Sequence, residues 1–106
     1  MGKMQRDKGN RFERSAVNIF RGFGIQAQRV PLSGATEYAK GDVEFVLQGK
    51  TYRAECKARG SGFKQLYSWL DGNDLLIIKA DRQPALVVIP IEEFCRIHDQ
   101  GGGRDG

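Results

Sequence analysis

Histidine and tryptophan occur once each in these 106 residues, cysteine twice and proline three times. Neither Cys56 nor Cys95 has a CxxC partner or a histidine at ligand spacing. Both are therefore expected to be buried thiols, which excludes a zinc pair and a disulfide framework and fits a reducing compartment. The lone histidine, His98, lies far along the chain in an otherwise apolar helical pattern, so no catalytic role is expected of it. No apolar run approaches the length of a membrane span, and MGKMQRDKGNR lacks the apolar core of a signal peptide. Internal repeats are absent. The expectation is a soluble cytoplasmic protein with no membrane partner (host cytoplasm if the source is viral).

What is present is ordinary globular material: 40% apolar and 28% charged residues, enough for one domain over 1–106 with a modest core. The formal net charge is +4 and the pI about 9.3. A basic balance favours polyanions, through phosphate neutralisation and counterion release. Residues 1–8 read as a basic, flexible arm and 100–106 as a disordered glycine-rich tail.

A helix is expected from Gly9-Asn10, with Asn10 as N-cap and Glu13 in capping-box position. Phe12, Ala16, Ile19 and Phe20 form its apolar stripe, and Gly22 and Gly24 end it. Ile25–Val30 alternates as a strand, and 32–40 is a polar loop containing Ser33 and Tyr38. The central stretch, GDVEFVLQGKTYRAECKA at 41–58, reads as a hairpin turning at Gly49-Lys50, with Gln48 facing Thr51. Its alternation sets Val43, Phe45, Leu47, Tyr52, Ala54 and Cys56 on one face, and Asp42, Glu44, Arg53, Glu55 and Lys57 on the other. A second helix over 63–70 is expected, capped by Ser61 or Gly62, with Tyr67 and Trp69 as core or dimer contacts. Apolar runs at 75–78 and 85–89 suit strands covered on both faces, and a third helix spans 91–98 after Pro90. The order α-β-β-β-α-β-β-α is that of an α/β domain with a mixed central sheet flanked by helices.

Asp42, Glu55 and Lys57 form the chemically loaded group. In this register the two acids are diagonal neighbours, roughly 7–8 Å apart, with Glu44 opposite Glu55. Two carboxylates and a backbone carbonyl, that of Cys56, are hard oxygen donors suited to Mg²⁺. Lys57 beside them suits a phosphate or an attacking water. Such a set is what phosphodiester hydrolysis requires; the competing reading is a solvated sheet face of mixed charge. Basic residues flank it in two clusters that include Arg11 and Arg14, then Arg59 and Lys64, which suits a nucleic acid lying across it.

The order and the motif resemble the PD-(D/E)xK nuclease superfamily with its restriction-endonuclease-like core, and within it the Holliday-junction resolvases of the archaeal and phage type. KGNRFER at 8–14, GFG at 22–24, QRVPLSG at 28–34, GDV at 41–43 and AECK at 54–57 carry the resemblance. It implies a metal-dependent endonuclease that resolves four-way DNA junctions as a homodimer, by paired nicks leaving 5′-phosphate ends, with Mg²⁺ replaceable by Mn²⁺. Two symmetric nicks also require two sites related by a two-fold axis. Carried over, Asp42 and Glu55 are the metal carboxylates, joined by Glu13, and Lys57 is the catalytic lysine. Ser33 is implied beside the scissile phosphate, Arg14 and Arg29 on the DNA backbone, and Gln65 near the site. Gly41 stands where the superfamily's name has proline, and Glu44 is an extra acid read as a bystander. The alternatives are a related nuclease acting on flaps or duplex, and a non-catalytic DNA-binding module of the same fold.

Overall fold

The computed structural model describes residues 2–30 and 42–99, with side chains from Lys8 to Val30 and from Asp42 to His98. Helix α1 runs Gly2–Gly22. Residues 2–8 are thus its first two turns rather than an arm, and Asn10 and Glu13 sit mid-helix instead of capping it. A helix interior leaves no orphan N–H for either side chain to cap, so both turn to another partner, described below. Ala16, Val17 and Phe20 are buried on the helix's inner face. The helix ends in a Schellman motif. Ile25 N–H donates to Phe20 O and Gly24 N–H to Arg21 O, each at 3.0 Å. Gly24 carries the left-handed φ of 81° that this stop requires.

The chain then forms strand β1 (Ala27–Arg29), β2 (Val43–Leu47) and β3 (Lys50–Ala54), an antiparallel sheet in the order β1-β2-β3. Leu47 pairs with Lys50 and Val43 with Ala54, so the turn residues are Gln48 and Gly49. Their φ values, 51° and 79°, are both positive, as a type I′ hairpin turn requires. The turn therefore precedes the Gly49-Lys50 position read from the sequence, and every pairing slips by two. A slip of two preserves the face of each side chain, because the strand period is two. It does change the neighbours: Glu44 lies opposite Arg53, not Glu55.

Val43 and Phe45 form the buried face of β2, under α1. Phe45 stacks on Phe20 at 4.4 Å between ring centroids, on Tyr52 at 5.7 Å, and edge-on to Phe94 at 6.0 Å. Phe94 and the fully buried Cys95 belong to helix α3 (Ile91–Asp99), which closes the core against α1. Glu92 and Glu93 in its first turn, and Arg96 and His98 in its last, suit the helix dipole.

Between β3 and α3 come helix α2 (Lys64–Leu70) and strands β4 (Leu76–Ile78) and β5 (Leu86–Val88). No Ser61 or Gly62 cap forms: Phe63 is the N-cap, without a side-chain hydrogen bond. The element order and the α/β class match the sequence reading, but among the described residues the strands fall in two small antiparallel sheets instead of one mixed one. Among the described residues, β4 and β5 pair only with each other, and their outer face stands open. Ile77 and Val87, cross-strand partners, are 65% and 59% exposed, not buried on both sides as the apolar runs suggest.

Phe45 lies where three aromatic rings meet in the core. Phe45→Ala is expected to lower unfolding free energy by about 3–5 kcal/mol, measured by urea titration at neutral pH.

Candidate active site

Asp42 enters β2 at the open end of the hairpin, and its backbone is bound on both sides. Val30 N–H donates to Asp42 O at 2.9 Å, and Asp42 N–H donates to Ala54 O at 2.7 Å. Its carboxylate is held as well, with Cys56 N–H donating to Oδ2 at 2.8 Å. Glu55 follows directly on Ala54, the residue that accepts from the Asp42 amide, so both acids lie at the open end of the hairpin. Neither Glu55 nor Lys57 lies within the ladder: β3 ends at Ala54, and 55–59 follow without regular structure.

Glu13 reaches the same end from above. Its Oε1 accepts from Arg29 Nε at 3.0 Å, and Arg29 Nη2 donates to Asn10 Oδ1 at 2.9 Å. Arg29 therefore ties β1 to the middle of α1 through the two residues expected to cap the helix. The Glu13 side chain is only 17% exposed. Lys57 Nζ sits 3.4 Å from Glu55 Oε2, with both side chains more than half exposed. Such a pair is worth roughly 0–1 kcal/mol, and the lysine is free to turn to another anion.

The Cys56 thiol registers the convergence of the acids. It is pushed up to about 11, first by burial and then by the charges of Asp42, Glu13 and Glu55. Among the described residues, no three His, Cys, Asp or Glu side chains are drawn close enough to form a ready-made metal cage. The donor set suits Mg²⁺ all the same, since that ion keeps several waters and takes one or two carboxylates. Asp42, already aimed by the Cys56 amide, and Glu55 are the two that fit. Nothing in the geometry selects the Cys56 carbonyl as a third donor.

The remaining expected residues divide among separate surfaces. Arg59 and Lys64 line one cleft with Lys57. Gln65 lies in a neighbouring groove with Gly62, Lys64 and Ser68, not beside Lys57. Arg11 and Arg14 line a different, shallow groove on α1 with Ser15, Asn18 and Ile19. Glu44 is engaged by Gln28 Nε2 and lies 3.7 Å from Arg53 Nε. Ser33 and Tyr38 lie outside the described residues. Sequence reasoning missed Asn10 and Arg29 as holders of Glu13. The signal was available in the i, i+3 spacing of Asn10 and Glu13, which sets both on one helix face.

A family model described as archaeal Holliday junction resolvase (Hjc) matches residues 4–99. The chain belongs to this family. Its members are nucleases acting on Holliday junctions, and the matched span runs from α1 through α3 and includes Glu13, Asp42, Glu55 and Lys57. No curated protein and no solved structure matches the chain. Among the described residues, no helix is long and apolar enough to cross a membrane.

The raised Cys56 value has a defined sign. The folded chain keeps the thiol proton to higher pH than the unfolded chain, whose thiol titrates at about 9. The associated stability is full below the unfolded value and is lost as pH rises from about 9 toward 11. Cys56→Ala is expected to flatten the decline in stability across that window, measured by urea midpoints at pH 8, 9.5 and 10.5.

Proposed function

We propose that this resolvase-family chain is a metal-dependent endonuclease that cuts four-way DNA junctions by paired nicks, leaving 5′-phosphate and 3′-hydroxyl ends. The observation that carries the reading is the doubly bound Asp42, held by the Cys56 amide beside Glu55 and Lys57. Bound Mg²⁺, or Mn²⁺ in its place, would supply Lewis acidity at the scissile phosphate.

The chain's own residues do the rest. Asp42 presents a fixed carboxylate, so no side-chain entropy is spent in ordering it at the moment of reaction. Glu55 adds a second, more mobile carboxylate. Lys57 leaves its weak pairing with Glu55 and places its ammonium against a phosphate oxygen, offsetting charge that grows as water attacks. Glu13, braced by Arg29 and Asn10, holds negative charge on the α1 side. Arg59 and Lys64 meet the phosphates of the strand lying past Lys57. Arg11 and Arg14 meet a second stretch of backbone.

The expected outcome is cutting of a mobile four-way junction with Mg²⁺ and little cutting of a linear duplex of the same sequence. Equal cutting of both would move the assignment to a flap or duplex nuclease. Asp42→Asn should lower junction cutting at least about 100-fold while junction affinity, measured by gel shift, stays within a few-fold.

Paired nicks call for two copies. Ile77 and Val87 leave an apolar pair open on the outer face of the β4–β5 ribbon, while Trp69 (54% exposed) and Leu86 (59% exposed) share a second apolar hollow on its α2 side. Surfaces of this kind are uncommon on monomers. A second copy covering the ribbon buries them. Ile77→Lys is expected to shift the protein from dimer to monomer in sedimentation and to replace paired nicks with single ones.

A further inference from the structure

Two adjoining hollows share the segment Lys57–Ser61 and together make one cleft between the first half of α1 and the start of α2. Its rim is cationic: Lys8, Lys57, Arg59 and Lys64 line it, and no carboxylate does among the described residues. Its other walls are aromatic. Phe12 is 39% exposed and Tyr67 is 73% exposed, and both face this space. Phe12 falls on the α1 stripe expected to be buried, and Tyr67 is expected as a core or dimer contact, yet neither is absorbed by the core. Phosphate binding alone accounts for the lysines and the arginine. It does not account for two open rings between them. A paired duplex keeps its bases stacked on each other, whereas an unpaired nucleotide offers a π-face that an exposed ring can take.

We propose that this cleft is a stacking subsite for one unpaired nucleotide next to the scissile phosphate, with Tyr67 and Phe12 as the platforms and the cationic rim on its phosphates. This deepens the reading of the chain as a junction nuclease and rests on it. Lys57 lines the cleft and also pairs with Glu55, so a nucleotide held there adjoins the acids at the end of the hairpin. Selection of branched over linear DNA follows, because a branch point lets a base leave its stack at low cost and a continuous duplex does not. Tyr67 and Phe12 are specificity-determining residues in this account, and take no part in the bond change.

The test uses the full chain in EDTA, so that binding is read without cutting. Affinity for a four-way junction is compared with affinity for the same junction carrying an abasic analogue at the nucleotide flanking the wild-type cut, mapped beforehand with Mg²⁺. Tyr67→Ala is expected to weaken binding to the intact junction about tenfold, within the range of one lost base–ring stack, and Phe12→Ala to weaken it in the same direction. Tyr67→Phe should bind like wild type, and affinity for linear duplex should not change. The abasic analogue should weaken wild-type binding by a similar factor and cost Tyr67→Ala nothing further, since the stack is already gone. Wild-type affinity retained in Tyr67→Ala, or losses from the variant and the abasic analogue that multiply, would overturn the subsite while leaving junction cutting intact. A wild-type chain that neither binds nor cuts junctions overturns the nuclease reading and the subsite together.

Discussion

The three hydrogen bonds that fix Asp42 are the constraint on which the site depends. Two are backbone bonds that extend the sheet one residue past β2, to Val30 on one side and Ala54 on the other. The third, from the Cys56 amide, turns the carboxylate toward the end of the hairpin. A carboxylate so held loses little freedom when it takes up a cation or faces a phosphate. The apolar half of the same hairpin secures the arrangement. Val43, next to Asp42, is fully buried, and Phe45 is locked among aromatic rings. Sliding β2 by one residue would bring Asp42 into the core and Val43 out of it, so the core's packing sets the position of the acid.

The second element is the Asn10–Arg29–Glu13 cluster. It joins α1 to β1 at the place where the sheet's acids gather, and it balances Glu13 with a cation that is not Lys57. Lys57 is left with a loose, solvent-facing partner in Glu55. The division is useful: one cation is structural, and the other is available. Past Lys57 the chain leaves the sheet at 55–59, opening the cleft that runs between α1 and α2.

Much of this was legible in the sequence because it depends on period-two alternation. The faces of β2 and β3 follow from it, and the helices in the element order follow from 3.6-residue spacing. The exact pairing did not, since the turn at Gln48-Gly49 requires Gln48 to adopt a positive φ that its side chain does not advertise. The start of α1 was misread for a local reason: Gly9-Asn10 looks like a helix start, yet here both residues are interior. The exposed faces of β4 and β5 were not legible either. An apolar run of strand length reads the same whether a core covers it or it stands open. Tyr67 was missed likewise, because helical spacing identifies a stripe but not what the stripe faces.

The central claim, that the open end of the hairpin is a cation centre organised by Asp42, is tested most directly by titrating the chain with Mn²⁺ and following amide NMR signals. Paramagnetic broadening should centre on Asp42, Glu55 and Cys56, reach Glu13 more weakly, and disappear from all four in Asp42→Asn. Broadening centred elsewhere, or unchanged by that substitution, would contradict it.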